Sequence, residues 1–393
     1  TDDSRLVLRV LQESINAGGQ ALNYTRVDEL LLEQGVVRGV VLSDGDEQLQ
    51  LRAPVVVNAT GAWADKLRGQ VNPEKRVRPL RGSHLVLPKH CLPVSETLGL
   101  MHPVDKRSVF IFPWEGAIVV GTTDLDHKGE LDSEASISDQ EVDYLLQMLH
   151  SEFPEQAITR DDVIATYAGV RPVIGSEKSK DPSKERRDHA VWEDKGLVTA
   201  SGGKLTTFRL IALDVLKAAQ VHLPAPRSSV GKDVDDRVFS IPTLSAAELL
   251  PDRPDWGQRL LGRYGAAAKS MLEAAKPGEE QRINGTQFSL AECRWAVRHE
   301  AVRHLDDLLL RRTRLGLLLR QGGAQLFDDL QPIFADELGW SGSQWEAEVT
   351  RYQTIWQRHY SLPNTAVQTH QPTAMSATDE CQQLITEGDT HEP

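Results

Sequence analysis

The chain has 393 residues, 40% of them hydrophobic and 26% charged, with a formal net charge of −13. That composition belongs to a globular protein with room for two or three domains, and the negative balance excludes a general nucleic-acid binder. No apolar run approaches the roughly 20 residues of a membrane-spanning helix, and the three scattered cysteines, Cys91, Cys293 and Cys381, fit a reducing compartment and form no metal or redox motif.

Asp2-Asp3-Ser4-Arg5-Leu6 reads as the cap of a helix running to about Asn16, stopped by Gly18-Gly19. A chain that opens inside its architecture is expected to lack an N-terminal portion. Leu22 to Tyr24, Glu29 to Leu32 and Val36 to Leu42 are predicted strands, with turns at Gln34-Gly35 and Ser43-Asp44-Gly45-Asp46. Val55 to Asn58 is a short, continuous apolar strand of the buried parallel type, and it runs into Ala59-Thr60-Gly61-Ala62-Trp63.

From about Arg76 to Gly129 the chain is again β-rich, with strands predicted at Ser83 to Pro88, Ser108 to Pro113 and Ala117 to Gly121. A helix is expected over Ser138 to Phe153, capped by Ser136 or Ser138. Val163 to Val173 reads as a strand followed by a tight turn, and Asp181 to Arg187 as a charged loop. A strand over Gly196 to Ala200 feeds a helix over Leu210 to Gln220. Leu223 to Ile241, with two prolines and several charges, reads as a linker.

Beyond it the pattern is helical. Apolar residues at Leu290, Cys293, Val297, Ala301, Leu305 and Leu308 predict one long helix. His299, Glu300 and His304 resemble a zinc-binding helix with one residue too many, so the histidines do not share a face and read as structural or solvent-facing. Two runs are locally basic, Lys66 to Arg107 and Arg294 to Arg320. They read as solvated faces, with contact to phosphate groups of a substrate or of lipid as the sharper alternative. The residues from Pro363 are polar with little pattern and predict disorder.

Ser201-Gly202-Gly203-Lys204-Leu205-Thr206-Thr207-Phe208-Arg209 joins the last predicted strand to its helix. A strand feeding a helix through a Gly-Gly turn aims backbone N–H groups at one spot, and the helix dipole adds positive potential there. A nucleotide triphosphate loop is excluded by spacing, because Val198 and Leu205 stand where it needs glycine and Ser or Thr. An ordinary turn capped by Thr206 or Thr207 is the plain alternative.

Five motifs follow in order: Asn58-Ala59-Thr60-Gly61-Ala62-Trp63, Arg81-Gly82-Ser83-His84, Gly121-Thr122-Thr123-Asp124, Tyr167-Ala168-Gly169-Val170-Arg171-Pro172, and the Gly202-Gly203-Lys204 turn. This set, with Asp306 to Gly316 in the helical part, resembles the FAD-dependent glycerol-3-phosphate dehydrogenases that deliver electrons to quinone, over roughly Asp2 to Tyr360. The G-x-G-x-x-G turn that opens that family is absent from this chain, which looks like the family without about its first third.

The resemblance implies a mixed α/β fold: an incomplete Rossmann-like FAD-binding domain, an inserted β-rich substrate domain and a C-terminal helical domain. The expected boundaries are 1–64 and 164–222 for FAD binding, 65–163 for substrate, 223–242 for the linker, 243–361 for the helical domain and 362–393 for the tail. The implied reaction oxidises sn-glycerol 3-phosphate to dihydroxyacetone phosphate, with hydride to flavin N5. His84 is then the base, Arg171 and Arg187 clamp the phosphate, and Lys204 lies by the reduced flavin. Thr60, Gly61, Gly202, Gly203, Leu205, Thr206 and Thr207 would hold the cofactor, with Thr123 and Asp124 lining the substrate cleft or forming a structural turn. No metal is expected. The same resemblance implies a cytoplasmic protein peripherally bound at the inner membrane face. An oxidase passing electrons to oxygen, another FAD-dependent oxidase, and a non-catalytic remnant are the alternatives.

Overall fold

The computed structural model describes residues 2–44, 47–175, 188–223 and 236–363. The charged loop before Asp188, most of the expected linker and the polar tail lie outside the described residues, and so does Arg187.

Helix α1 (Asp3–Asn16) begins as expected, with the Asp2 carboxylate accepting the Arg5 N–H. A meander follows, β1 (Arg26–Glu33), β2 (Val36–Asp44) and β3 (Glu47–Arg52), paired antiparallel in that order. The expected strand at Leu22 to Tyr24 is irregular chain instead. Tyr24 takes φ of 55° and its hydroxyl donates to Asp307, so a tertiary contact overrides the local β preference.

Strand β4 (Val56–Asn58) leads through a tight turn at Gly61–Trp63 into the short helix α2 (Ala64–Arg68). The second sheet holds β5 (Val77–Pro88), β6 (Leu98–Met101), β7 (Ser108–Trp114), β8 (Ala117–Gly121), β9 (Leu125–Asp126) and, after helix α3 (Asp139–Glu152), β10 (Ala165–Ile174). Its order is β10-β5-β8-β7-β6, with β9 on β5. Ser138 caps α3 in a reciprocal capping box with Glu141.

The turn expected after Val163 does not form. Strand β10 is one continuous ladder with β5 from Ala165↔Val86 to Ile174↔Val77, because a twelve-residue partner is available along its whole length. The third sheet is β11 (His189–Asp194), β12 (Leu197–Gly202) and β4, with β12 and β4 parallel as the apolar run at Val55 predicted. Val57 is nevertheless 44% exposed, so the burial expected on both faces is met on one.

Helix α4 (Phe208–Ala219) follows β12, and the helical part comprises α5 (Ala246–Leu249), α6 (Pro254–Tyr264), α7 (Ala267–Glu273), α8 (Leu290–His299), α9 (Leu315–Leu318), α10 (Phe327–Leu338) and α11 (Gly342–His359). The single helix expected over Leu290 to Leu308 breaks after His299. Arg5 takes the Glu300 carboxylate, the Arg312 side chain takes the Glu300 carbonyl, and Ala301 turns to φ of 51°. A π-helical turn over Asp307–Arg312 continues the chain.

Both faces of the second sheet are covered. Leu85, Leu87 and Val120 pack with Leu145 and Leu149 of α3 on one side. Val86, Val119 and Ala165 share a core with Leu308, Leu315 and Phe334 on the other. The basic run Arg294 to Arg320 is a solvated face only in part, with Arg298, Arg303 and Arg320 exposed. Arg294 is buried against Glu279 and Glu337, Arg298 pairs with Glu337, Arg311 with Asp306, and Arg320 donates to the Asp161 carbonyl. Glu279 and Glu337, the partners of Arg294 and Arg298, come from other segments, which composition within the run does not reveal.

Candidate functional site

Strand β5 is paired with β8 up to His84↔Gly121 and with β9 from Arg81↔Leu125. Between those points the ladder is interrupted, and Thr122, Thr123 and Asp124 bulge from it. The gap is closed by side chains. The Ser83 N–H donates to Thr123 Oγ1 at 2.9 Å, and the Thr123 N–H to the Ser83 carbonyl at 3.3 Å. Thr123 is buried, and Asp124 reaches Arg171 on β10; both line a small cavity with Arg107, Glu141 and Tyr144.

On that strand, Tyr167 stands opposite His84 and Arg171 opposite Leu80. The His84 ring stacks on Tyr167, with centroids 4.4 Å apart and planes at 8°. Gly121 makes room for it, since a Cβ there would lie 2.3 Å from His84 Cδ2. Burial first, and the Arg171 charge second, depress the His84 pKa to about 4. Its Nδ1 is buried without a hydrogen-bond partner.

Arg171 Nη1 lies 3.3 Å from Asp124 Oδ1, and Nη2 donates to Thr122 Oγ1 at 3.0 Å. The Asp124 carbonyl in turn accepts from Arg107 at 2.7 Å. His84 and Arg171, midway along two adjacent strands, and Asp124, in the bulge after β8, are therefore brought together. Thr122 and Tyr167 complete the group, neither of which had a role in the sequence reading.

The glycine turn joins this group from the third sheet. Gly202 and Gly203 have φ of 76° and 82°, which side chains rarely adopt. A Cβ on Gly202 would lie 2.8 Å from Ile174, three residues beyond Arg171 on β10. The Gly61–Trp63 turn packs against β5, β10 and β12, so Thr60 and Gly61 arrive at the same place. Asn58 shapes that turn by accepting from the Thr60 hydroxyl at 2.7 Å. A cavity of about 520 Å³ opens beside Thr60, Trp63 and Lys66.

Thr207 stands at the N-cap of α4, but neither its side chain nor that of Thr206 makes a cap hydrogen bond. The Thr207 N–H and hydroxyl both donate to the Lys204 carbonyl at 3.0 Å, closing a 3₁₀ turn at Leu205–Thr207 before α4 starts. Lys204, Leu205 and Thr206 are left exposed.

These residues fit a flavin. The Ser201 hydroxyl is buried without a partner immediately before the turn, an exposed ammonium follows it, and α4 directs its N-terminus there. Among the described residues no cluster of His, Cys, Asp or Glu could hold a metal ion.

The sequence missed Glu141. Its signal was the Ser138-Asp139-Gln140-Glu141 spacing of a capping box, which foretells the cap but not the strands the carboxylate also reaches.

Comparison with known proteins gives the family and the fold. The glycerol-3-phosphate dehydrogenase of Mycobacterium leprae (strain TN) is 32% identical over 368 residues, 89% of this chain and 62% of the relative. The aerobic glycerol-3-phosphate dehydrogenase of Bacillus subtilis (strain 168) is 37% identical over 228 residues, 57% of this chain and 40% of the relative. The chain thus spans less than two thirds of the length of these relatives. The fold is shared with the crystallised glycerol-3-phosphate dehydrogenase from Bacillus halodurans complexed with FAD, at a TM-score of 0.74, 24% identity, and coverage of 91% of this chain and 73% of that one. Residues 245–345 match the family described as the C-terminal domain of alpha-glycerophosphate oxidase. Residues 1–212, more than half of the chain, match the FAD dependent oxidoreductase family, and the chain belongs to that family.

Proposed function

We propose that this chain carries the catalytic residues for oxidising sn-glycerol 3-phosphate to dihydroxyacetone phosphate. The observation that carries the reading is His84: a half-buried, stacked imidazole with a buried, unpartnered Nδ1, near the Arg171 charge. A pKa of about 4 keeps the ring neutral at physiological pH, so it can accept the proton of the C2 hydroxyl. FAD, when bound, supplies the acceptor for the hydride leaving C2.

Arg171 binds the phosphate through its guanidinium, held in orientation by Asp124 and Thr122. A phosphate dianion there offsets the positive charge that depresses His84, so the imidazole becomes a stronger base when substrate is present. Arg187 is a second phosphate contact on the resemblance alone. Lys204 and the α4 N-terminus place positive potential where reduction creates negative charge. Thr60, Gly61 and the residues from Gly202 to Thr207 hold the rest of the cofactor. The domain boundaries expected from the sequence are kept in this reading, except that β10, expected in the FAD-binding part, is laddered to β5 of the substrate part.

Electrons pass on to a quinone at a membrane surface that the protein approaches peripherally. No described helix is long and apolar enough to cross a membrane. The C-terminal match to alpha-glycerophosphate oxidase favours a second reading, with oxygen as acceptor. Peroxide release measured against reduction of a soluble quinone analogue separates the two.

The central test replaces His84 with Ala in the flavin-loaded protein. Turnover should be lost while bound flavin, read by its absorbance, is retained; near-normal turnover would refute the base assignment.

A further inference from the structure

The carboxylate of Glu141, on the first turn of α3, is buried and fully engaged. Its two oxygens serve different structures. Oε2 accepts from the Ser138 N–H at 2.9 Å, from the Ser138 hydroxyl at 2.8 Å and from Arg81 at 2.6 Å. Oε1 accepts from Ser83 Oγ at 2.8 Å and from Thr123 Oγ1 at 2.7 Å. One oxygen completes a helix cap, and the other reaches both lips of the gap in the β5 ladder. Ser83 precedes His84, and Thr123 precedes Asp124, the partner of Arg171.

We propose that Glu141 is a positioning residue for the catalytic group, bridging the interrupted ladder so that His84 is held in its stack and Asp124 holds Arg171. The proposal rests on the base reading of His84. An interrupted ladder leaves two strand segments with fewer main-chain bonds between them than a regular one, so other groups must help to hold them together. Two charge-assisted hydrogen bonds to one buried carboxylate strengthen that link, beside a single long main-chain bond of 3.3 Å from the Thr123 N–H to the Ser83 carbonyl. The carboxylate is held ionised: although burial alone raises its pKa, the hydrogen bonds from Thr123, Ser138 and Ser83 bring it below the ordinary value.

Three variants of the flavin-loaded protein separate positioning from plain stability. Thr123→Val removes the hydroxyl that joins Glu141 to the Ser83 N–H, with little change in shape. Glu141→Gln leaves one acceptor where there were two. Ser138→Ala disturbs the cap and spares Oε1. The readouts are the His84 titration by imidazole NMR, kcat for glycerol 3-phosphate, and the melting temperature.

Thr123→Val and Glu141→Gln should raise the His84 midpoint by about one unit or more, as water reaches a loosened ring, and lower kcat by about tenfold or more. Ser138→Ala should lower the melting temperature and leave the midpoint in place. Wild-type midpoints in both Thr123→Val and Glu141→Gln, with only stability lost, overturn the proposal. If Glu141→Gln does not fold, Thr123→Val decides alone. Should His84→Ala turn over normally, the base reading fails, while the titration still reports whether Glu141 holds the ring.

Discussion

The imidazole of His84 lies against the phenol ring of Tyr167, 4.4 Å away and 8° from parallel, across the β5–β10 ladder. The pairing follows from register, since residues directly opposite on one face of an antiparallel pair are neighbours. It removes the imidazole from water on one side, and β8 at Gly121 closes the other. Tyr167→Phe preserves the stack and should keep turnover within about twofold of wild type. Tyr167→Ala opens the ring to solvent and should raise the His84 midpoint toward the ordinary histidine value. Equal damage from both substitutions would mean that the hydroxyl, not the stack, matters.

Stability should depend on His84 with a definite sign. Its folded pKa, about 4, lies below the unfolded value of 6.5, so the unfolded chain binds more protons between those limits. Stability from this group is fully present above pH 6.5 and falls as pH drops toward 4, by about 3 kcal/mol in all. Carboxylates such as Glu141, depressed in the fold, lose their contribution at lower pH and dominate below about 4.5. Urea unfolding at pH 7 and pH 5 should therefore show a steeper loss for wild type than for His84→Gln. Parallel losses would contradict the depressed imidazole.

Arg171→Ala should raise KM for glycerol 3-phosphate by about a hundredfold, the scale of a lost charged bidentate contact. KM for glycerol, which lacks the phosphate, should change little. A similar rise for both compounds would remove the phosphate role and leave Arg171 as a partner of Asp124 and Thr122.

Two glycines on the strands that flank β5 make an internal control. A Cβ at Gly121 meets His84 at 2.3 Å and the Ser83 carbonyl at 3.0 Å, whereas one at Gly169 meets nothing within 4 Å. Gly121→Ala should cost about 1–3 kcal/mol through overpacking and depress kcat by displacing the imidazole. Gly169→Ala should be near neutral in both. Thermal unfolding and steady-state rates on the two variants provide the check, and equal behaviour would show that His84 moves aside freely.

Much of the site was legible locally. The Gly202-Gly203 turn announces itself because two consecutive residues at positive φ need glycine, and Asn58-Ala59-Thr60-Gly61 because a short apolar strand ends there. Arg81 to His84 and Tyr167 to Arg171 were visible as motifs. Their facing one another was not, since β5 ends at Pro88 and β10 begins only at Ala165, with four other strands and a helix between them. The basic run from Arg294 misled for the same reason: its partners Glu279 and Glu337 lie outside it. So did the tight turn expected near Arg171, which a full-length partner strand converts to ladder.

The amino-acid sequence by itself determined where the backbone can turn, which segments are apolar enough to be strands, and which residue types are available for acid–base and phosphate chemistry. Those properties depend on φ preference, side-chain period and functional groups, all local. Only the tertiary structure decided that His84 is a depressed, stacked imidazole, that Arg171 is held by Asp124 and Thr122, and that Glu141 spans the gap between their strands. Desolvation and hydrogen bonding act over a few ångströms in space, and the chain distances between these residues carry no record of them.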